Sequence, residues 1–150
     1  MENPIIPTEK SPKRILEQAI FIVTLLDIIS SLLSRWLNIY YDWFSIPSII
    51  IYIGMAYLIA CKQDLKTTLS SVTKLGLYDA TIGFIIALLL EANYGGFEKK
   101  IYQLGLVGWL FLIILAVLFA NVLGLIGFVL AMRNKKLKSD QTTVDKELEQ

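Results

Sequence analysis

The sequence predicts an all-α, polytopic membrane protein: a bundle of four transmembrane helices with short loops and both termini in the cytosol. Three observations predict it. Apolar residues make up 55% of the 150 and charged residues 18%, against roughly a quarter charged in soluble chains. Four apolar stretches reach or approach the ~20 residues that a bilayer demands of a helix. The Lys and Arg residues fall unevenly on the two sets of flanks that these stretches define.

Residues 1–14 are polar, contain three prolines and read as a cytosolic tail. Ser11 before Pro12 is suited to an N-cap and first helical position, so a helix is expected to start there. The first span is placed at residues 15–37, interrupted by Asp27; it is too long for the apolar region of a signal peptide, and no small-x-small site follows. The second span, 43–61, carries no charge. The third, 75–92, has Asp79 near one end and Glu91 at the other. The fourth, 101–132, is a charge-free run longer than a bilayer is thick, and must tilt or protrude. Residues 133–150 begin basic, as an anionic headgroup layer would favour, and form a second cytosolic tail. A soluble helix shows a polar face, and the fourth stretch has none.

Orientation follows from the short flanks. Lys10, Lys13, Arg14, Lys62, Lys66, Lys74, Arg133, Lys135, Lys136 and Lys138 gather on one side, against Arg35, Lys99 and Lys100 on the other. Ten against three puts the first group in the cytosol of a cell (cytoplasmic) membrane. Trp36, Tyr40, Tyr41, Trp43, Phe44, Tyr94, Phe97 and Tyr102 mark the opposite interface, where rings with a polar edge settle.

The residue inventory excludes much chemistry. There is no His and a single Cys, Cys61, which removes the commonest general base and metal ligand and any internal disulfide. No metal site or cofactor is expected, and no basic face with interleaved aromatics offers itself to nucleic acid.

An ionisable group at membrane depth costs roughly 2.5–3.5 kcal/mol on insertion scales and needs a reason to be there. Asp27 lies near the expected midplane, on a helical stripe with Thr24, Ser31 and Ser34 that Glu17 continues toward the cytosol. No cation of this chain sits at that depth. Depth arithmetic makes Asn121 of the fourth helix its expected partner. Asp79 is placed about a turn inside the cytosolic boundary. Gly83 and Ala87 share a ridge with Asp79 and Glu91, beside Gly76 and Ala80; Ala120 and Gly124 form a second ridge with Ala116 and Gly127. Small residues let helices approach closely, so the two ridges are expected to make the packing seam.

Two functions are open on these grounds. One is small-solute, ion or proton-coupled transport as a homo-oligomer, with Asp27 as its protonatable or cation-binding group. The other is an accessory or scaffold role, with the acids pairing with cations of other membrane subunits. An enzyme ranks behind both. Tyr78-Asp79 resembles one of two short motifs of intramembrane aspartyl proteases, but Leu25-Leu-Asp27 stands where the Gly-x-Gly-Asp partner is required.

Overall fold

A computed structural model describes residues 11–95 and 97–148; the side chains of residues 97–104, 138–140 and 142–148 lie outside the described set. The expectations for Lys10, Phe97, Lys99, Lys100, Tyr102 and Lys138 therefore fall outside it. Everything regular among the described residues is helical, and four helices are long and apolar enough to cross a membrane: Pro12–Leu37, Tyr41–Ala60, Leu65–Leu89 and Gly105–Leu137.

Helix α1 (Pro12–Leu37) begins as expected, with the Ser11 side chain accepting from the Arg14 amide and Pro12 in the first turn. It stops at Asn38, which turns into the left-handed region (φ 51°) and donates its amide to Ser34 O. Asn tolerates that conformation better than most residues. A 3-10 turn, Tyr41–Phe44, leads into α2 (Ser45–Ala60). Pro47 is confined to the first turn of α2, where a missing amide costs nothing.

Helix α3 (Leu65–Tyr78) starts at Leu65 rather than near Leu75, because Asp64 caps it by accepting from the Thr67 amide at 3.1 Å. Its Thr and Ser residues turn back on the backbone: Thr68 Oγ1 donates to Asp64 O and Ser71 Oγ to Thr67 O, each at 2.9 Å. A π-helical turn, Asp79–Gly83, continues into α4 (Phe84–Leu89), so α3, the π turn and α4 form one rod. Helix α5 (Phe97–Leu148) is broken at Gly105 (φ 59°, ψ −162°). That backbone is open to glycine and closed to nearly every other residue.

Lipid tails are as apolar as leucine, so burying leucine between membrane helices gains little; close packing and interhelical polar contacts must supply the stability. The bundle is built that way. Helix α5 packs most extensively on α2 and α3, and it does so through small residues. A Cβ on Gly76 of α3 would come within 2.7 Å of Ala120 Cβ, and one on Gly127 within 2.6 Å of Ile53 O on α2. Gly124 lies under Val72. The expected seam is therefore redistributed. The Ala120–Gly124 ridge meets Gly76 and Val72, whereas Gly83 faces Asp27 of α1 and the α4 segment carrying buried Ala87 packs on α1. The buried core is Val23, Met55, Ala56, Ile59, Val72, Leu75, Ala120 and Leu123. Large apolar side chains such as Phe21, Leu110, Phe111 and Leu118 point outward, as hydrocarbon surroundings allow.

The described cations follow the expected partition. Lys13, Lys66 and Lys74 line one shallow groove, and Lys135 donates to Ala60 O at the same end of the bundle. At the opposite end Arg35 pairs with Glu91 at 3.0 Å. There Asn93 ties the two interhelical turns together: its amide donates to Ser34 Oγ and its side chain to Asn38 Oδ1.

Candidate functional site

Two aspartates meet inside the bundle. Asp27 is fifteen residues into α1, and Asp79 fourteen residues into the rod that starts at Leu65. At 1.5 Å per residue both lie about 22 Å from the cation-rich end. Asp79 is thus not a boundary residue; the early start of α3 carries it to the depth of Asp27.

Depth alone would not bring them together. In the π turn the Phe84 amide donates to Asp79 O, five residues back, so one extra residue is fitted into the turn and the side chains before it are re-aimed. Such bulges often occur at functional sites. Here the turn directs Asp79 and Gly83 toward α1. A Cβ on Gly83 would stand 2.6 Å from Asp27 Oδ2 and 2.7 Å from Asp79 Oδ1. The absent side chain is the space into which both carboxyl groups reach.

The other oxygen of each acid is held by a tyrosine. Tyr41 OH donates to Asp27 Oδ1 at 3.1 Å, and Tyr52 OH donates to Asp79 Oδ2 at 2.9 Å. Asp27 is 4% exposed, yet Oδ2 has no hydrogen-bond partner among the described residues, and Ser30 Oγ beside it has none either. Buried polar atoms are nearly always satisfied, so two orphans in one place are informative.

Asp27 and Ser30 both line a cavity of about 380 Å³ bounded by Tyr41, Phe44, Tyr52, Asp79, Gly83, Phe84, Tyr94 and Trp109, with Asp42 and Ser45 exposed at its mouth. Among the described residues that line it, none is Lys or Arg. Val23, Ile59, Val72 and Leu75, on the cation-rich side of the two acids, are fully buried in one core cluster. Facing carboxyls without a counter-ion can share a proton, take up a cation, or hold a water between them. Each option answers the same excess of acceptors over donors.

The remaining expected site residues have other duties. Asn121 is not the partner of Asp27: it accepts from Thr73 Oγ1 at 3.0 Å and donates to Val117 O at 2.8 Å. Neither its depth nor its rotational phase matches: Thr73 is eight residues into α3, about 12 Å from the cation-rich end at 1.5 Å per residue, well short of the level of Asp27. Thr24 Oγ1 donates to Ile20 O and hydrogen-bonds with Tyr78 OH. Ser31 Oγ donates to the backbone of Asp27, and Ser34 Oγ donates to Ile39 O. The stripe faces inward, but its hydroxyls are spent on structure. Glu17 leaves it for solvent, 3.9 Å from Lys13. Tyr41 and Tyr94, assigned to the interfacial belt, fold over the cavity with ring centres 5.1 Å apart, while Trp36 and Trp43 remain exposed as belt residues should.

Ser30, Tyr52, Phe84 and Trp109 were not anticipated. Ser30 is at i+3 from Asp27, which places it on the same face. Tyr52 is the only hydroxyl in the apolar middle of α2, a polar atom that must find a partner. No family model, curated protein or solved structure matches this chain.

Proposed function

We propose that this chain is a multi-pass protein of a cell membrane, with both termini cytosolic, that binds a cation at Asp27 and Asp79 in exchange for protons and carries it across the bilayer. The carrying observation is that, among the described residues, Oδ2 of buried Asp27 has no partner and faces Asp79 across Gly83 in a cavity lined by no basic side chain. A carboxyl pair in a low-dielectric medium requires a positive counter-charge. A proton and a solute cation can each supply it, and only one is needed at a time, which couples their movements. The titratable groups around the pair are Tyr41, Tyr52 and Tyr94, with Asp42 at the mouth. Access from the cation-rich side requires the Val23–Ile59–Val72–Leu75 cluster to part, in this copy or through movement within a homo-oligomer.

The test is flux into proteoliposomes holding the purified chain alone. A proton gradient should drive cation movement, and Asp27→Asn should abolish it while the helical circular dichroism persists. Undiminished flux in Asp27→Asn refutes the reading. The same unpaired acid would also suit a Lys or Arg from another membrane subunit; a stoichiometric partner that co-purifies with the wild type and is lost from Asp27→Asn supports that accessory role instead. Reporter fusions near residues 63 and 140 should lie on one face of the membrane.

A further inference from the structure

We propose that the ligand of this cavity is an organic ammonium cation, seated on a wall of five aromatic rings above the two aspartates, rather than a metal ion. The inference rests on the cation-binding reading and names its ligand class.

The rings form an unbroken chain drawn from four separate parts of the fold. Phe44 and Tyr41 have centres 6.5 Å apart, Tyr41 and Tyr94 5.1 Å, Tyr94 and Phe84 5.9 Å, and Phe84 and Trp109 4.8 Å in an edge-to-face pair. All five line the cavity that holds the aspartates. Aromatic faces attract a cation within about 6 Å of the ring centre, most strongly when water is excluded. A quaternary or alkylated ammonium gains twice here: its charge meets carboxylate and ring faces, and its alkyl surface meets an apolar wall.

A bare metal ion gains little from the same surroundings. Divalent cations of the calcium and magnesium type take six to eight oxygen ligands. Among the described residues no group of three or more His, Cys, Asp or Glu is placed to hold a metal. Of the four aspartate oxygens in the pair, two are already taken by Tyr41 and Tyr52. The cavity, about 380 Å³, falls within the roughly 300–1,000 Å³ of small-molecule pockets and is far larger than a dehydrated ion requires. The exposed carboxylate of Asp42 at the mouth supplies an attracting charge for an incoming cation.

Trp109 reports on the site directly. The chain has three tryptophans, so Trp36→Phe combined with Trp43→Phe leaves Trp109 as the sole indole. Titrating this full-length protein in mild detergent with tetraethylammonium should change its fluorescence saturably, and sodium in large excess should not reverse the change. Phe84→Leu should weaken tetraethylammonium about 5- to 30-fold, the loss of one desolvated cation–ring contact, and Phe84→Tyr should restore it. Phe44→Leu, at the other end of the wall, gives a second reading should Phe84→Leu fail to fold. If sodium competes as well as tetraethylammonium, or both leucine variants bind normally while Asp27→Asn does not, the aromatic assignment is wrong and the cation site stands. If no cation perturbs Trp109 and none is transported, both fall together.

Discussion

Replacing Gly83 by alanine puts a methyl group into the one space that both acids share. The new Cβ would lie 2.6 Å from Asp27 Oδ2 and 2.7 Å from Asp79 Oδ1, where ordinary contact begins near 3.4 Å. The Asp27 carboxyl must therefore retreat by about 0.8 Å and that of Asp79 by about 0.7 Å, the differences between ordinary contact and these separations. Neither is free to do so, since Asp27 Oδ1 is held by Tyr41 and Asp79 Oδ2 by Tyr52. Overpacking of this kind costs about 1–3 kcal/mol. Alanine recovers up to about 1 kcal/mol of that through its higher helix propensity. The net loss of stability is then roughly 0–3 kcal/mol, small enough for the variant to fold. Ligand binding should suffer more, because a cation between the two acids needs the volume that the methyl takes. The assay pairs thermal unfolding in detergent with the tetraethylammonium titration. Gly54→Ala is the control, as a Cβ there meets nothing within 4 Å. Binding weakened at least tenfold with modest destabilisation is expected. Wild-type affinity in Gly83→Ala would refute the convergence of the acids on this glycine.

Other consequences can be checked on the same material. Asp27→Asn removes a carboxyl that faces another carboxyl, so the ligand-free variant should unfold at higher temperature, by about 2–4 °C per kcal/mol gained; a lower unfolding temperature contradicts the placement. Gly127→Ala drives a methyl against Ile53 O and Ala56 Cβ of α2, 2.6 and 2.7 Å away, and should cost about 1–3 kcal/mol, measured by denaturant or thermal unfolding, whereas Gly54→Ala should be neutral or stabilising by up to about 1 kcal/mol. Hydrogen bonds from the Thr67 side chain and amide hold the Asp64 carboxyl below its usual 3.8. A carboxyl lowered by folding stabilises the fold above its unfolded value and loses that contribution as pH falls through the lowered one. Asp64→Ala should therefore destabilise the start of α3 at pH 7, seen as faster amide exchange, and the difference from the wild type should shrink as the pH falls through the lowered value.

The helical class was legible because a membrane helix needs only length and apolarity, and residues 101–132 meet both without any neighbour's help. The start of α1 was legible for a local reason, the Ser11-Pro12 pair. What composition hid is the rest of the third rod. Residues 65–74 carry Lys66, Thr67, Thr68, Ser70, Ser71, Thr73 and Lys74, which read as a flank. Yet their hydroxyls satisfy themselves on the preceding turn, and Asp64 offered an N-cap signal that was there to be used. Moving the start of the helix moves Asp79 from a boundary to the interior, and the acid pair follows.

Asn121 failed as the partner of Asp27 for a different reason. Depth is one coordinate on a helix surface and phase is another. A one-dimensional count from assumed helix ends misplaces the first, since Thr73 lies only eight residues into α3, and the second depends on how α5 sits against α3, where Gly76 lets Ala120 approach and turns the adjacent Asn121 onto Thr73. The π turn lies further still from local rules. Asp79, Ala80, Thr81, Ile82 and Gly83 contain no proline and only one poor helix former, Gly83, and Thr81 bonds back to Leu77 O and Tyr78 O as it would in an ordinary helix. A regular helix would have left every position after the bulge about 100° out of phase, since 3.6 residues make a turn. The turn sets the rotational phase of α3 relative to α4, and at it two carboxyl groups approach over a residue with no side chain. A purely structural helix has no use for that approach, which carries a cost unless a cation or a proton comes between the acids.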